Sequence, residues 1–254
     1  MGIDADMAAA ALARTMVHLT PALPGAWIRR EGGLFAGFSG VALPMLNGVW
    51  TEATSVDEVR VESLLDEVAA RGFPHCLRVR PALSERLGRL ATRRGMTMEP
   101  KTPMMVLDQP GKLSPALLPP GCSLRLLSPD EAAAHAIVGA AGFEAPLELF
   151  LQLAPRSLLA LPGVRTYLAE IDGQGVATGF GCTVGESVGI FSVATLPEYR
   201  RRGFGAAITR QAVEDGFSAG ATWAWLESSP SGYSVYERLG FGTLEHWDCW
   251  VAAA

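Results

Sequence analysis

Gly189-Ile190-Phe191-Ser192-Val193-Ala194-Thr195 leads through a short proline-containing turn into Arg200-Arg201-Arg202-Gly203-Phe204-Gly205. A helix-forming stretch then opens at Ala206. The first segment reads as a strand and residues 206–219 as a helix, so the glycines sit at a strand-to-helix turn. Glycine lets the backbone curl so that successive N–H groups converge on one point. The helix behind it adds unpaired N–H groups and the positive end of its dipole. Together these make an anion cradle of a size suited to a pyrophosphate. Three arginines add charge that can reach phosphate oxygens. The alternative is a turn that only needs flexibility, with the arginines as a solvated face.

Other glycine-loop chemistries fail on detail. A dinucleotide fingerprint needs a third glycine where Ile208 stands. A nucleotide P-loop needs Gly-Lys-Ser/Thr, which is absent, and Gly37-Phe38-Ser39-Gly40 lacks the spacing of a hydrolase elbow. Working outward, strands are expected at 123–127, 166–171, 176–184, 188–194, 222–227 and 247–251. Helices are expected at 128–141, 147–153, 206–219 and 232–239, the first opened by Ser128-Pro129-Asp130-Glu131.

Arg200-x-x-Gly203-x-Gly205 resembles the Q/R-x-x-G-x-G/A signature of the GNAT acetyltransferases. Val235-Tyr236-Glu237-Arg238-Leu239-Gly240-Phe241, a helix and a strand downstream, resembles that family's second motif. The resemblance covers about residues 122–251. It implies a mixed α/β fold and an acetyl-CoA-dependent N-acetyltransferase acting by direct attack of a primary amine. It further implies that Val193, Ala194 and Thr195 line the pantetheine arm and acetyl group. Arg200, Arg201, Arg202, Gly203, Phe204, Gly205 and Ala206 hold the pyrophosphate on the same basis. Tyr236 is implied to be the general acid toward the leaving thiolate, a role a phenol O–H can fill; its other reading is a core aromatic. Many relatives carry an asparagine about seven residues before that tyrosine. Ser229 stands here, and with one donor and two acceptor lone pairs it is a cofactor contact by position. No general base is identified; Glu144, Glu170 and Glu227 are candidates beside the reading of each as a solvated acid. Trp223 and Trp225 read as core packing. A different class of function stays open: a non-catalytic acyl-CoA-binding sensor or regulatory module.

The first half gives helices at 7–18, 57–70 and 81–94 and strands at 34–41, 49–51, 76–79 and 104–107. Residues 109–121 carry four prolines and two glycines and read as a linker. The expected partition is 1–108, a linker 109–121, and a catalytic domain 122–254. Residues 86–97 echo 236–243 as helix, glycine stop and strand, and the order of elements before them matches, which points to a tandem repeat. The first copy looks degenerate: Thr51-Glu52-Ala53-Thr54-Ser55-Val56-Asp57 has no glycine and two acids where a phosphate would be repelled. One cofactor per chain is therefore expected, with the first half a packing or lid domain.

Composition supports the same picture. Of 254 residues, 49% are apolar and 19% charged, enough to bury substantial cores. The net charge of −5 argues against nucleic acid as the main partner. No run of 18 apolar residues exists and the start is acidic, so no membrane span or export signal is expected, and the cytoplasm is the expected location. Cys76, Cys122, Cys182 and Cys249 are scattered, which gives no support to a metal site or a disulfide framework. The expected partner is a small-molecule or peptide amine; a homodimer is an open possibility.

Overall fold

The structure is a computed structural model, described here for residues 2–254. The first half runs α1 (Ala5–Leu19), β1 (Trp27–Glu31), β2 (Leu34–Phe38), β3 (Gly48–Thr51), α2 (Glu58–Ala69), β4 (His75–Val79), α3 (Ser84–Arg93) and β5 (Thr97–Leu107). The second runs β6 (Cys122–Leu127), α4 (Ala132–Phe143), α5 (Leu147–Leu153), α6 (Arg156–Leu159), β7 (Val164–Ile171), β8 (Gln174–Val184), β9 (Ser187–Thr195), α7 (Phe204–Ser218), β10 (Trp223–Glu227), α8 (Tyr233–Leu239) and β11 (Gly242–Ala252). Past the three strands that each half shares, the order helix, strand, helix, strand recurs, which is the repeat that the sequence echo announces.

Strand β1 is absent from the sequence reading because Arg29, Arg30 and Glu31 hide its period; it is an edge strand paired only with β2, where charge guards against further pairing. Strands β5 and β11 are longer than expected. Pro100 and Pro103 mask the start of β5, whose first five residues are exposed. Strand β2 stops at Phe38, three residues short of the expected end.

The chain divides into two compact units at Met104/Met105 and at Gly242/Thr243. This differs from the partition at 109–121, and hydrogen bonding explains why. The closing strand ladders antiparallel against β4, from Asp248 opposite Val79 to Ala252 opposite His75. Thr243–Ala254 therefore group with Asp4–Met104. Residues 109–121 hold a 3-10 turn at Pro110–Lys112 and otherwise no regular structure.

In the N-terminal unit, β2 pairs antiparallel with β3 and β3 parallel with β4. Leu34, Val49, Leu64, Leu65, Leu77, Leu87 and Leu90 form its core. Arg80, just past β4, is 1% exposed. It donates to both carboxylate oxygens of Glu245 (2.9 and 2.8 Å), to Asp6 (2.6 Å) and to the Glu52 carbonyl (2.8 Å).

In the C-terminal unit, β6, β7, β8 and β9 pair antiparallel in sequence order. Strand β9 pairs parallel with β10, and the end of β5 lies beside β10. Met105, Leu107, Ile190, Phe204, Ile208, Val213, Leu226 and Leu239 form one core. Gly216 has no Cβ because one there would stand 2.7 Å from Val188 Cβ; this is how closely α7 lies on the sheet.

Candidate active site

Parallel pairing of β9 with β10 runs from Ser187 opposite Trp223 to Gly189 opposite Trp225, and stops. Beyond it the two strands separate, while β9 continues to Thr195. The side of β9 that faces away from β8 thus leaves backbone amides and carbonyls without ladder partners in a sheet interior, where such groups require an acceptor or donor. The register of β9 on β8 shifts between Thr178 and Phe180, and Ser192 takes φ +52° at that irregularity. A bulge of this kind re-aims the strand beside a site. Val193 packs where a Gly179 Cβ would stand (3.1 Å) and near the Gly205 position (3.6 Å), so its side chain faces α7. Ala194 faces α4: a Cβ on Gly142 would sit 2.8 Å from its own. Thr195 turns its hydroxyl back toward α7, 4.0 Å from the Gly205 position.

The loop after β9 is a left-handed turn. Arg201 has φ +62° and Gly203 φ +92°. The first helical bond of α7 is donated by Ala207 to the Gly203 carbonyl at 2.9 Å. The amides of Phe204, Gly205 and Ala206 precede it and have no intrahelical partner. Unpaired amides at a helix start are the arrangement that suits an anion. The side chain of Phe204 is not part of it: at 1% exposure it anchors the loop in the core, edge-on to Tyr199. Ala206 packs against the same core.

The three arginines divide by task. Arg200 donates to the Gly142 carbonyl and to Glu144 (both 2.8 Å), tying the loop to the end of α4. Arg202 lies over the Tyr199 ring at 5.2 Å and donates to the Glu198 carbonyl at 3.0 Å. Arg201 has no side-chain partner among the described residues. The corresponding turn of the N-terminal unit is built oppositely: Asp57 accepts the Val59 N–H at 3.0 Å, so a carboxylate already fills the start of α2.

Tyr236 lies on α8 with its ring over Gly232, where a Cβ would come within 2.9 Å of Cε2, and edge-on to Phe241. Burial pushes its phenol up to about 12, so it keeps its proton at neutral pH. Its hydroxyl has no hydrogen-bond partner among the described residues. Ser229 accepts the Gly232 N–H on its hydroxyl (3.2 Å) and the Tyr233 N–H on its carbonyl (3.1 Å). It holds the start of the tyrosine helix, a structural use of the hydroxyl that the sequence reading did not include.

The candidate bases separate. Glu170 is bound to Arg125 at 3.0 Å on the β6–β7 pair. Glu144 is bound to Arg200 at 2.8 Å. Glu227, two residues past the last β9–β10 pair, stands where the strands have parted. Among the described residues no group of three His, Cys, Asp or Glu is placed to hold a metal, and no helix is long and apolar enough to cross a membrane.

One buried group escapes the sequence reading. His135 on α4 is fully buried, 2.7 Å from the Thr178 hydroxyl, which in turn donates to the Tyr167 carbonyl at 2.8 Å. The hydroxyl proton being used, His135 Nδ1 is the donor and Nε2 carries the lone pair; Nε2 has no partner. Burial lowers the imidazole to about 4. A lone histidine on an alanine-rich helix gives no sequence signal for this.

Residues 162–243 match the model of the acetyltransferase (GNAT) domain. No curated protein matches the chain in sequence. A GCN5-related N-acetyltransferase from Kribbella flavida superposes with a TM-score of 0.71 at 24% identity, covering 100% of this chain and 97% of its own. One from Sphaerobacter thermophilus gives 0.60 at 18%, covering 87% and 77%. A tandem GNAT protein from the clavulanic acid biosynthesis pathway gives 0.60 at 15%, covering 99% and 97%. Residues 162–243 are thus similar to a GNAT acetyltransferase domain, within a chain whose mixed α/β fold resembles that of the GCN5-related N-acetyltransferases.

Proposed function

We propose that the chain transfers an acetyl group from acetyl-CoA to the primary amine of a small molecule or peptide, in the cytoplasm, using one site in its C-terminal unit. The observation that carries the reading is the combination of parted strands and a free helix start. Gly189 opposite Trp225 ends the pairing, and the amides before Ala207 stay unbonded within the helix. The first offers backbone partners to an extended amide-bearing arm, the second an anion cradle at its end. No glycine side chain blocks the cradle: a Cβ at Gly203 would meet only the Leu117 carbonyl, at 3.6 Å.

In this reading the amine attacks the thioester carbonyl directly. Unpaired amides of β9 near the bulge hydrogen-bond the oxygen as charge develops on it, and holding both reactants in one cleft supplies much of the rate. Tyr236 faces the leaving sulfur. A free thiol has its pKa near ~8.5, below the buried phenol, so the proton belongs on Tyr236. Its contribution is a hydrogen bond to the departing thiolate. Glu227, or water beside it, accepts the ammonium proton. The N-terminal unit, its helix start filled by Asp57, binds no second cofactor.

A non-catalytic acyl-CoA sensor is the second reading, favoured by the engagement of the Ser229 hydroxyl in capping α8. Free-thiol release from acetyl-CoA against a panel of primary amines separates the two: turnover with one acceptor is expected, and its absence with every amine, while CoA still binds, selects the sensor. Gly203→Glu is expected to abolish CoA binding in calorimetry. Undiminished binding refutes the cradle.

A further inference from the structure

The sheet at the parted strands has two faces, and the cradle belongs to one of them. Val193 and Thr195 turn toward the Gly205 position at the start of α7. A cofactor held there reaches the gap between β9 and β10 from the α7 face. A second reactant has the other face, the one on which α4 lies. His135 of α4 meets Phe180 edge-on at 6.0 Å, which puts Phe180 on that face. Phe180 pairs with Phe191 in the β8–β9 register, and their rings stack at 5.2 Å. Phe191 in turn meets Trp225 edge-on at 5.4 Å.

This aromatic row holds Phe191 in place and leaves it reachable. A Cβ on Gly189 would stand 2.6 Å from Trp225 Cζ2 and 2.8 Å from Phe191 Cε2, so only glycine makes room for both rings. Trp225 is fully buried, whereas Phe191, two residues past the last β9–β10 pair, stays partly exposed. Glu227 stands at the same level on β10, two residues past Trp225, and strand alternation gives it the same face. Beyond Phe191, the end of α4 rests on Ala194. It brings Phe143, 50% exposed and stacked on Phe150 at 5.5 Å, to this side of the sheet. The approach to the gap therefore offers exposed aromatic surface and one carboxylate.

We propose that the acceptor is a primary amine that carries an aromatic ring, with the ring lying on Phe191 and the ammonium beside Glu227. The inference rests on the acetyl-transfer reading given above and names its substrate class. Aromatic pairs attract beyond the area they bury, and a carboxylate beside them favours a cation over a neutral or acidic group. The ammonium gives one proton to Glu227 or water. The amine nitrogen then bonds the acetyl carbon as the carbon–sulfur bond breaks, and the second proton ends on the CoA thiol.

Steady-state assays of the full chain with acetyl-CoA test this by comparing 2-phenylethylamine with 2-methoxyethylamine, an amine of similar basicity without a ring. The aromatic amine is expected to have a kcat/KM about 30-fold higher, the scale of burying one ring. Phe191→Ala brings that ratio to about threefold. Phe191→Leu, which fills the row without an aromatic face and so guards against its collapse, brings it below about tenfold. Calorimetric titration with CoA reads whether each variant keeps its cleft. Equal kcat/KM for the two amines, or a ratio that Phe191→Leu leaves unchanged, overturns the aromatic acceptor and leaves acetyl transfer standing. If CoA binds and no amine turns over, acetyl transfer itself falls, and the acceptor with it.

Discussion

The half-buried Tyr236 and the fully buried His135 of the C-terminal unit have opposite relations to their protons, and each makes a measurable demand. Tyr236 keeps its proton because burial disfavours the phenolate. Replacing it with Phe leaves the ring edge-on to Phe241 and removes only the hydroxyl. Turnover is expected to fall by about tenfold to a thousandfold with CoA affinity unchanged, and equal rates in a steady-state assay would remove the tyrosine from the reaction. His135 is held neutral, with its imidazole lowered to about 4 from an ordinary 6.5. The unfolded chain therefore binds a proton in that interval that the folded chain refuses. The stability this histidine contributes is complete above pH 6.5 and is lost as pH falls toward 4, by up to ~3 kcal/mol. His135→Gln should flatten that part of the profile. Thermal unfolding at pH 7 and at pH 4.5 reads the difference, and parallel curves for the two proteins would refute it. Tyr236 was reachable from its place in a motif. His135 was not, because its importance lies in Thr178, 43 positions away in the chain.

At the scale of elements, contact between helix and sheet is set by missing side chains. Gly142 lets the end of α4 rest on Ala194 and Thr195, with room for a Cβ only 2.8 to 3.2 Å from their atoms. Gly142→Ala must push α4 off the strand that borders the cleft. The expected loss is about 1–3 kcal/mol, seen as a lower Tm, with weaker CoA binding because Arg200 is moored to the same carbonyl. A stable variant with full affinity would show that the strand does not depend on that contact. The sequence made the strand–loop–helix of 189–218 legible because glycine spacing, β-branched residues and a helix start all agree there. It could not show that pairing stops at Gly189, since parting of strands is a property of two segments and no residue in either marks it. Nor could it show that residues 113–118 are pinned, with Ser114 N–H donating to the Leu239 carbonyl and Arg210 to the Ser114 carbonyl: their prolines rule out regular structure without saying what the chain lies against.

For the whole molecule, the decisive residue of the N-terminal unit is Arg80, whose side chain is 2% exposed and shared among Glu245, Asp6 and the Glu52 carbonyl. Removing one partner strands a buried cation. Glu245→Ala is expected to destabilise this unit by about 3–5 kcal/mol. Limited proteolysis should then cut within Asp4–Met104 first; unchanged resistance would mean that Asp6 alone suffices. The closing strand has a kinetic consequence as well. Its ladder joins Ala252 to His75, a pairing of segments far apart in the chain, and such pairings form late. Chains usually fold from the N-terminus as they leave the ribosome. Here the unit synthesised first cannot complete its sheet until residues 243–252 have emerged. Until then β4 waits with an open edge, a template for neighbouring nascent chains, and the second unit has time to fold before the first is finished.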